Sequence, residues 1–298
     1  MREILQGFID MHCHNGPSNV NRLFDTGQFA VEADKAGYRA FITKDHYFPS
    51  MMTAMQANSL LDGKVKTKAY GSLILNNSVG GICLKAVDAA CALDVKYVSL
   101  PTISAANHIA YYEGKDFTGS KGMILDEEPI YMIDKKGDLT QDVEALLQFL
   151  SKLENAPVLA TGHGSRDEQD AVVRRANELG VAVLVNHPYY GFDVRVEDLV
   201  RWAGLGAYIE LTAVTFTRPE DSPGQPEDFK GNHAFMEKLF SDIKMEKFVL
   251  DSDMGQRIFE SPVEGVYSFI QILMNDYHLT EQDINLMGKE TPAKLMHI

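Results

Sequence analysis

Short runs of apolar and β-branched residues recur along the chain, and most lead through polar residues into segments whose apolar positions lie three and four apart. The runs are typical of buried strands and the longer segments of amphipathic helices. Eight runs have the length of a strand, namely Gly7–His12, Ala40–Thr43, Thr67–Leu75, Val95–Leu100, Val158–Thr161, Ala182–Asn186, Ala207–Leu211 and Lys247–Leu250. The helical pattern covers, among others, Gln28–Ala36, Val79–Leu93, Leu139–Leu153, Arg166–Leu179, Val196–Gly204 and His233–Ile243.

Eight strands alternating with helices predict an α/β protein of the (β/α)8 TIM-barrel type, with a doubly wound open sheet as the alternative. A length of 298 residues suits a single barrel domain over residues 1–298. One connection is long: residues 102–137, after the fourth strand, form an insertion, and insertions of this length commonly cover functional sites. In such a barrel the active site lies at the carboxyl ends of the strands.

The composition is that of an acidic globular protein. Lys and Arg number 28 and Asp and Glu 42, so the formal net charge is −14, which disfavours nucleic acid and acidic membrane surfaces as partners. No apolar run approaches the ~20 residues of a membrane-spanning helix, and the amino terminus lacks a signal-peptide pattern, so we expect a cytoplasmic protein. Cys13, Cys83 and Cys91 form no CxxC pair, so neither a disulfide framework nor a cysteine-based zinc site is expected.

Several histidines and one aspartate follow the predicted strands. His12 and His14 lie two positions apart at the end of the first strand, so they share one face, and Cys13 faces the other way. Three more residues directly follow strands five, six and eight: His163, His187 and Asp251. Because the carboxyl ends of barrel strands surround one opening, we expect all five side chains to converge there. Imidazole and carboxylate ligands without a thiolate predict a divalent metal, with Zn²⁺ as first choice and Mn²⁺ or Fe²⁺ as alternatives.

Five more polar residues are expected at this opening. Residues two positions apart on a strand share a face, so Lys44 and His46, after the second strand, are both expected to point toward the opening. Three roles are open for Lys44: it is carboxylated, it binds a substrate carboxylate through its positive charge, or it is a solvated loop residue. Glu210, in the seventh strand, is expected to contact the substrate or to form a salt bridge across the barrel mouth, for instance to Lys44. Arg22, after the histidine pair, and Tyr189, after the strand-six histidine, are expected to contact the substrate.

Two further aspartates flank the proposed ligands. Asp10 lies two positions before His12, so we expect it on the same face, where it can orient an imidazole. Asp253 lies two positions after Asp251, and we expect it to act behind the ligands rather than among them.

The strings FIDMHCH, VLDSDMG and KETPAKLM, with single histidines after strands five and six, resemble the amidohydrolase superfamily of metal-dependent hydrolases from about residue 7 to the end. The strings HCHNGPSNVNR, TKDHYFP and DSDMGQ are most similar to a subgroup known only as uncharacterised hydrolases. The resemblance implies a homo-oligomer, a general-base role for Asp251 in addition to metal contact, and five metal ligands: His12, His14, His163, His187 and Asp251.

The fourth strand departs from the commonest pattern of that superfamily. Many members that bind two metals resemble one another in having a carboxylated lysine or a glutamate at the end of this strand, but here it reads VKYVSLPT and offers neither. One metal per chain is therefore expected, unless another strand supplies the bridging ligand. Lys44, after the second strand, is the residue for that role.

The expected function is a metal-dependent hydrolase acting on an amide, cyclic amide or ester-type bond of a small polar molecule. A bound divalent metal lowers the pKa of water from 15.7 toward ~7, which supplies a nucleophile at neutral pH. Asp251 is expected to transfer the proton, and Lys44 or His46 to stabilise the developing oxyanion. The chain has no GxSxG elbow, P-loop or GxGxxG fingerprint, which disfavours serine hydrolases, NTPases and dehydrogenases.

Three alternatives remain open. A phosphoesterase of the polymerase-and-histidinol-phosphatase type also begins with HxH and has a string similar to ITKDHY, although its last motif pairs aspartate with histidine where this chain has Asp251 and Asp253. A decarboxylase of the amidohydrolase superfamily would use the same ligands. A catalytically silent metal-binding barrel is the alternative that is not an enzyme.

Overall fold

Eight parallel strands form the centre of the molecule. The computed structural model describes residues 3–115, 117, 125–188, 193–217 and 233–298. Each strand pairs with the next in chain order: β1 Ile9–Cys13, β2 Ala40–Thr43, β3 Lys68–Ile74, β4 Tyr97–Ser99, β5 Val158–Ala160, β6 Val183–Val185, β7 Tyr208–Thr212 and β8 Phe248–Asp251. After β8 the chain returns to β1, where the N–H of Asp253 donates to the carbonyl of His12 and the N–H of His14 to that of Met254. This closure confirms the predicted (β/α)8 barrel and excludes the open sheet.

Helices alternate with the strands. They are α1 Thr26–Ala36, α2 Met51–Leu60, α3 Leu84–Cys91, α4 Ala106–Tyr111, α5 Gln141–Leu150, α6 Arg166–Leu179, α7 Val196–Gly204, α8 Ala213–Thr217, α9 His233–Asp242, α10 Pro262–Asp276, α11 Glu281–Asn285 and α12 Thr291–Met296. None of the helices in the described part of the chain combines the length and hydrophobicity that a membrane-spanning segment needs.

The strands separate two apolar layers. Alternate residues such as Ile42 and Val249 point into the barrel and form one buried cluster. Their neighbours Phe41 and Leu250 pack against the helices outside. The same alternation brings Lys44, two residues after Ile42, to the inner side of the carboxyl end, as the sequence predicts.

The last helix closes the opposite end of the barrel. Leu295 and Met296 of α12 belong to the inner cluster, and the ring of His297 lies 3.2 Å from the carbonyl oxygen of Ala156, just before β5 begins. Full burial of an aliphatic side chain of this size contributes about 1.5–3 kcal/mol. With the amino end filled, polar side chains can gather at the carboxyl end without breaking the apolar core.

Local capping explains why some predicted helix bounds are accurate and one is wrong. For α6, Ser165 and Glu168 form a capping box and Gly180 takes a left-handed conformation, so the observed helix matches the prediction. The helix predicted over Val79–Leu93 begins only at Leu84. Gly80 and Gly81 have φ values of +88° and +72°, which a right-handed helix cannot contain.

The insertion after β4 lies where the sequence places it. It holds α4 and returns toward the barrel through a bridge between Ala105 and Ile130. Residues 116 and 118–124 of this segment lie outside the described residues. The insertion therefore brings α4, with its buried His108, to the carboxyl end of the barrel.

Candidate functional site

An irregularity in β1 turns the histidine pair into the barrel. Ile9 and Met11 belong to the inner cluster, so strict alternation from them would direct His12 outward. The pairing of β1 with β2 shifts register between Asp10 and Cys13, and Cys13 packs in the outer layer. Bulges of this kind redirect side chains next to active sites.

Asp10 does not take the role expected for it. One of its carboxylate oxygens accepts hydrogen bonds from the backbone N–H groups of His12, at 3.1 Å, and Ser252, at 3.2 Å. Asp10 therefore holds the backbone of the β1 irregularity against the segment after β8.

His12 lies between two carboxylates. Its Nδ1 is 2.9 Å from Oε1 of Glu210 and its Nε2 is 3.1 Å from Oδ1 of Asp253. Burial alone would lower the pKa of His12, but the two carboxylates outweigh it, and raise the pKa to about 9, while Lys44 opposes them. The contact with Glu210 fixes the ring so that Nε2 faces the barrel mouth.

His14 and Asp253 meet through two atoms that both carry lone pairs. Nδ1 of His14 lies 3.0 Å from the carbonyl oxygen of Lys44, which only accepts hydrogen bonds, so Nδ1 carries the proton. Burial, with the charge of Arg22, lowers the pKa of His14 to about 3, so the ring is neutral and Nε2 is unprotonated. That Nε2 lies 3.0 Å from Oδ1 of Asp253. Such a pair is repulsive unless a cation joins the two atoms.

Asp253 is ionised at this position. Burial would raise its pKa, but the charge of His12 and the hydrogen bond from its Nε2 hold the pKa well below its usual range. Its backbone has a φ of +49°, a left-handed conformation that is uncommon outside glycine. Strained residues of this kind concentrate at functional sites, and the side chain is 14% exposed.

His187 completes a set of three donors. One ligand atom each from His12, His187 and Asp253 lie within 4.8 Å of one another. Burial lowers the pKa of His187 to about 4, so its ring is in the neutral form that binds metals. Its backbone N–H donates to Oε2 of Glu210 at 2.9 Å. Once metal binding displaces the proton of His12, two buried imidazoles and an ionised carboxylate are a donor set that fits a divalent metal.

His163 lies next to this set and is held by a residue of the insertion. Its ring centroid is 5.1 Å from that of His187, and its Nδ1 is 2.7 Å from Nδ1 of His108. Burial lowers the pKa of both rings, that of His108 to about 3, so both are neutral and one donates to the other. Sequence reasoning gave His108 no role, because nothing in the sequence shows that the insertion folds back onto strand five.

Lys44 and His46 both reach the site. Nζ of Lys44 lies 2.8 Å from Nε2 of His12, and the side chain is fully buried. Burial lowers the pKa of Lys44, although the carboxylates of Asp253 and Glu210 oppose it. The ring of His46 lies 5.1 Å from that of His14 and shares a hydrogen bond of 2.9 Å with Thr102.

Asp251 and Asp253 occupy different surroundings. Asp251 is fully buried at the end of β8, and its Oδ1 accepts a hydrogen bond of 2.6 Å from the backbone N–H of Met11. Burial, then the charges of Glu210 and Asp10, raise its pKa well above the usual value. The three-donor set contains Asp253, where the sequence analysis named Asp251.

The three residues predicted to contact substrate lie in different surroundings. Arg22 is 6% exposed and lies in the loop between β1 and α1, near enough to His14 for its charge to lower the pKa of that ring. Glu210 is fully buried and bonds His12, His187 and Asn186. Tyr189 lies outside the described residues.

Solved structures of other proteins share this architecture. An inactive dihydroorotase-like domain of a CAD-like multifunctional protein from Chaetomium thermophilum is 14% identical, with a TM-score of 0.59, over 98% of this chain and 80% of that one. A candidate 2-pyrone-4,6-dicarboxylic acid hydrolase from Pseudomonas putida is 14% identical, with a TM-score of 0.58, over 98% and 97%. An amidohydrolase from Burkholderia multivorans is 11% identical, with a TM-score of 0.55, over 98% and 99%.

At these identities the likeness shows the fold alone. No curated protein matches the sequence significantly. The model of a family of unknown function, DUF6282, matches residues 7–210, which include His12, His14, His163, His187 and Glu210. Since that match covers more than half of the chain and most of the site, the protein belongs to the DUF6282 family.

Proposed function

We propose that this protein is a metal-dependent hydrolase that cleaves an amide, cyclic amide or ester-type bond in a small polar molecule. The observation that carries the proposal is the contact between Nε2 of His14 and Oδ1 of Asp253 at 3.0 Å, between two atoms with lone pairs. A divalent cation relieves the repulsion at that point by binding both atoms as ligands. The fold of the structural relatives supports the same reading.

The metal-binding residues are proposed to be His12, His14, His163, His187 and an aspartate after β8. Asp253 suits the aspartate position better than Asp251, because it is ionised and contacts two imidazoles. With nitrogen and oxygen donors, Zn²⁺ is the first choice and Mn²⁺ or Fe²⁺ the alternatives. When bound, the metal supplies Lewis acidity and an activated water.

The remaining side chains have roles that follow from their contacts. Asp253, ionised and partly exposed, can take a proton on its carboxylate and return it to the leaving nitrogen or oxygen. Lys44 and His46 are placed to stabilise negative charge that develops on the substrate oxygen. Glu210 holds His12 through Nδ1 and so orients its Nε2.

Elemental analysis and a substrate panel test the proposal. Protein purified without chelator should contain about one metal per chain, and it should hydrolyse some member of a panel of cyclic amides, lactones and linear amides in a chelator-sensitive manner. Two metals per chain would indicate that Lys44 is a carboxylated bridging ligand. A protein that neither holds nor takes up metal would overturn the proposal.

Other outcomes of the panel separate the alternative functions. Chelator-sensitive cleavage of phosphate esters alone would indicate a phosphoesterase, and release of CO₂ a decarboxylase. A full metal complement with no turnover of any compound would indicate a silent barrel, and one protein of similar fold is described as an inactive dihydroorotase-like domain. Light scattering during gel filtration tests the homo-oligomer that the resemblance implies.

A further inference from the structure

Arg22 is a buried cation with no partner among the described residues. Its side chain is 6% exposed, and Nε, Nη1 and Nη2 all lack a hydrogen-bond partner in the described part of the chain. Buried charged groups are normally paired, because a guanidinium that has lost its water is costly without compensating hydrogen bonds. Five N–H donors are therefore held ready for an acceptor that the described residues do not provide.

The position of Arg22 places these donors beside the proposed metal ligands. Its backbone forms a bridge with Gln256, three residues after Asp253, and its carbonyl accepts a hydrogen bond of 3.0 Å from Nε of Arg257. The loop after β8 therefore fixes the backbone of Arg22. Arg22 also lowers the pKa of His14, second to burial, which shows that its charge acts on the histidine pair.

Two carboxylates lie near Arg22 without pairing with it. Burial lowers the pKa of Arg22, and the charges of Asp45 and Asp253 oppose that effect. Oδ1 of Asp45 accepts from the N–H groups of Tyr47 and Phe48, at 2.8 and 3.0 Å, and its Oδ2 is buried without a hydrogen-bond partner among the described residues, so neither oxygen bonds the guanidinium. Asp253 is occupied by the two imidazoles. The guanidinium is thus kept charged by its surroundings while its donors remain available.

We propose that Arg22 binds a carboxylate of the substrate, which makes the substrate a small carboxylic acid whose scissile amide or ester bond lies at the metal. This inference rests on the proposed function. The planar fork of a guanidinium matches a carboxylate through two parallel hydrogen bonds. A dianionic phosphate fits less well, because Asp45 and Asp253 already place two negative charges nearby.

Binding of simple anions tests the proposal without knowledge of the substrate. Titration calorimetry with succinate, its neutral diamide and inorganic phosphate is carried out on wild type, Arg22→Gln, Arg22→Lys and Arg39→Gln, each with and without zinc. Arg39 is exposed just before β2, at the amino end of the barrel, so Arg39→Gln makes the same change of net charge away from the site. Succinate affinity should fall by about tenfold or more in Arg22→Gln, corresponding to 1.4 kcal/mol, with zinc content unchanged, and it should stay within twofold in Arg39→Gln.

Arg22→Lys keeps the charge and loses the planar fork, so it should also bind succinate several-fold more weakly, and it serves as the test if Arg22→Gln does not fold. Succinate affinity equal to wild type in a folded, zinc-containing Arg22 variant overturns the carboxylate site and leaves the hydrolase proposal intact. Arg22-dependent binding of phosphate tighter than that of succinate overturns the choice of carboxylate. If wild type takes up no zinc, the hydrolase proposal fails, and Arg22-dependent succinate binding to the metal-free protein is then a separate result.

Discussion

Oδ1 of Asp253 lies 3.0 Å from Nε2 of His14, although 239 positions separate the two residues in the chain. The contact exists because the segment after β8 pairs with the end of β1, through the bridge between Cys13 and Met254, when the barrel closes. Closure of the fold and assembly of the site are thus the same event. A metal that joins β1 to the segment after β8 is therefore expected to stabilise the whole barrel.

Removal of a proposed imidazole ligand should lower metal content and stability together. In His12→Ala and His187→Ala the zinc content should fall below about a tenth of the wild-type value, and the zinc-dependent rise in melting temperature should be lost, because only the native state binds the metal. Elemental analysis and thermal unfolding with and without zinc measure both effects. His278→Ala, at an exposed position, is the control. Full zinc content in either ligand variant would show that these histidines are not ligands.

Replacing each of the two aspartates after β8 by asparagine should show which of them binds the metal and transfers the proton. Asp253→Asn is expected to reduce zinc affinity and to reduce turnover by about 10²-fold or more, the usual contribution of general acid–base catalysis. Asp251→Asn should keep most of the metal, because Asp251 bonds the backbone of β1. From the sequence alone, the larger loss is expected at Asp251. Zinc titration and kcat on the best panel substrate decide between the residues, and a larger loss in Asp251→Asn would reinstate the sequence-based assignment.

The sequence predicts the barrel well because strand and helix periodicity is local information. Period two and strand-end positions also suffice to place Lys44 and His187 at the carboxyl-end opening, whereas His12 and His14 reach it only through the irregularity in β1. The prediction fails where the direction of a side chain depends on backbone contacts with a segment that is distant in the sequence. The β1 register shift cannot be read from the pattern.

The choice between Asp251 and Asp253 shows the same limit. Both follow β8, and only the left-handed conformation of Asp253 and its pairing with His12 distinguish them. His108 belongs to an insertion whose path depends on tertiary contacts. The position of Arg22 marks it in the sequence, but that its guanidinium has no hydrogen-bond partner among the described residues is visible only in the structure.

The buried carboxyl of Asp10 should make the metal-free protein less stable as the pH rises. Burial, opposed by hydrogen bonds from Ser252 and His12, raises its pKa from 3.8 to about 6. A raised folded-state pKa means that the native state binds the proton more tightly, so this stabilisation is complete below pH 3.8 and is lost as the pH rises through 6. A pKa difference of about 2 corresponds to about 3 kcal/mol.

Urea unfolding of the metal-free protein tests that expectation. Asp10→Asn keeps an acceptor for the N–H groups of His12 and Ser252 but cannot ionise. Its free energy of unfolding relative to wild type should therefore increase by up to about 3 kcal/mol between pH 4 and pH 7.5. Asp62→Asn, at an exposed position, should show no such trend. A pH-independent difference between Asp10→Asn and wild type would contradict the raised pKa.

His108 should control the zinc affinity of the site through His163. Its Nδ1 lies 2.7 Å from Nδ1 of His163, so it fixes which nitrogen of that ring faces the other imidazoles. Loss of such a supporting contact typically weakens metal binding 10–100-fold, and we expect about that loss in His108→Ala, with partial recovery in His108→Gln, whose amide can still reach the ring. Asn107→Ala is the matched control, because Asn107 lies on the same helix and donates to the backbone carbonyl of His163 rather than to its ring. Competition with a zinc chelator measures all three affinities. Equal affinities in His108→Ala and Asn107→Ala would mean that α4 merely covers the site and that His163 is oriented by its own strand.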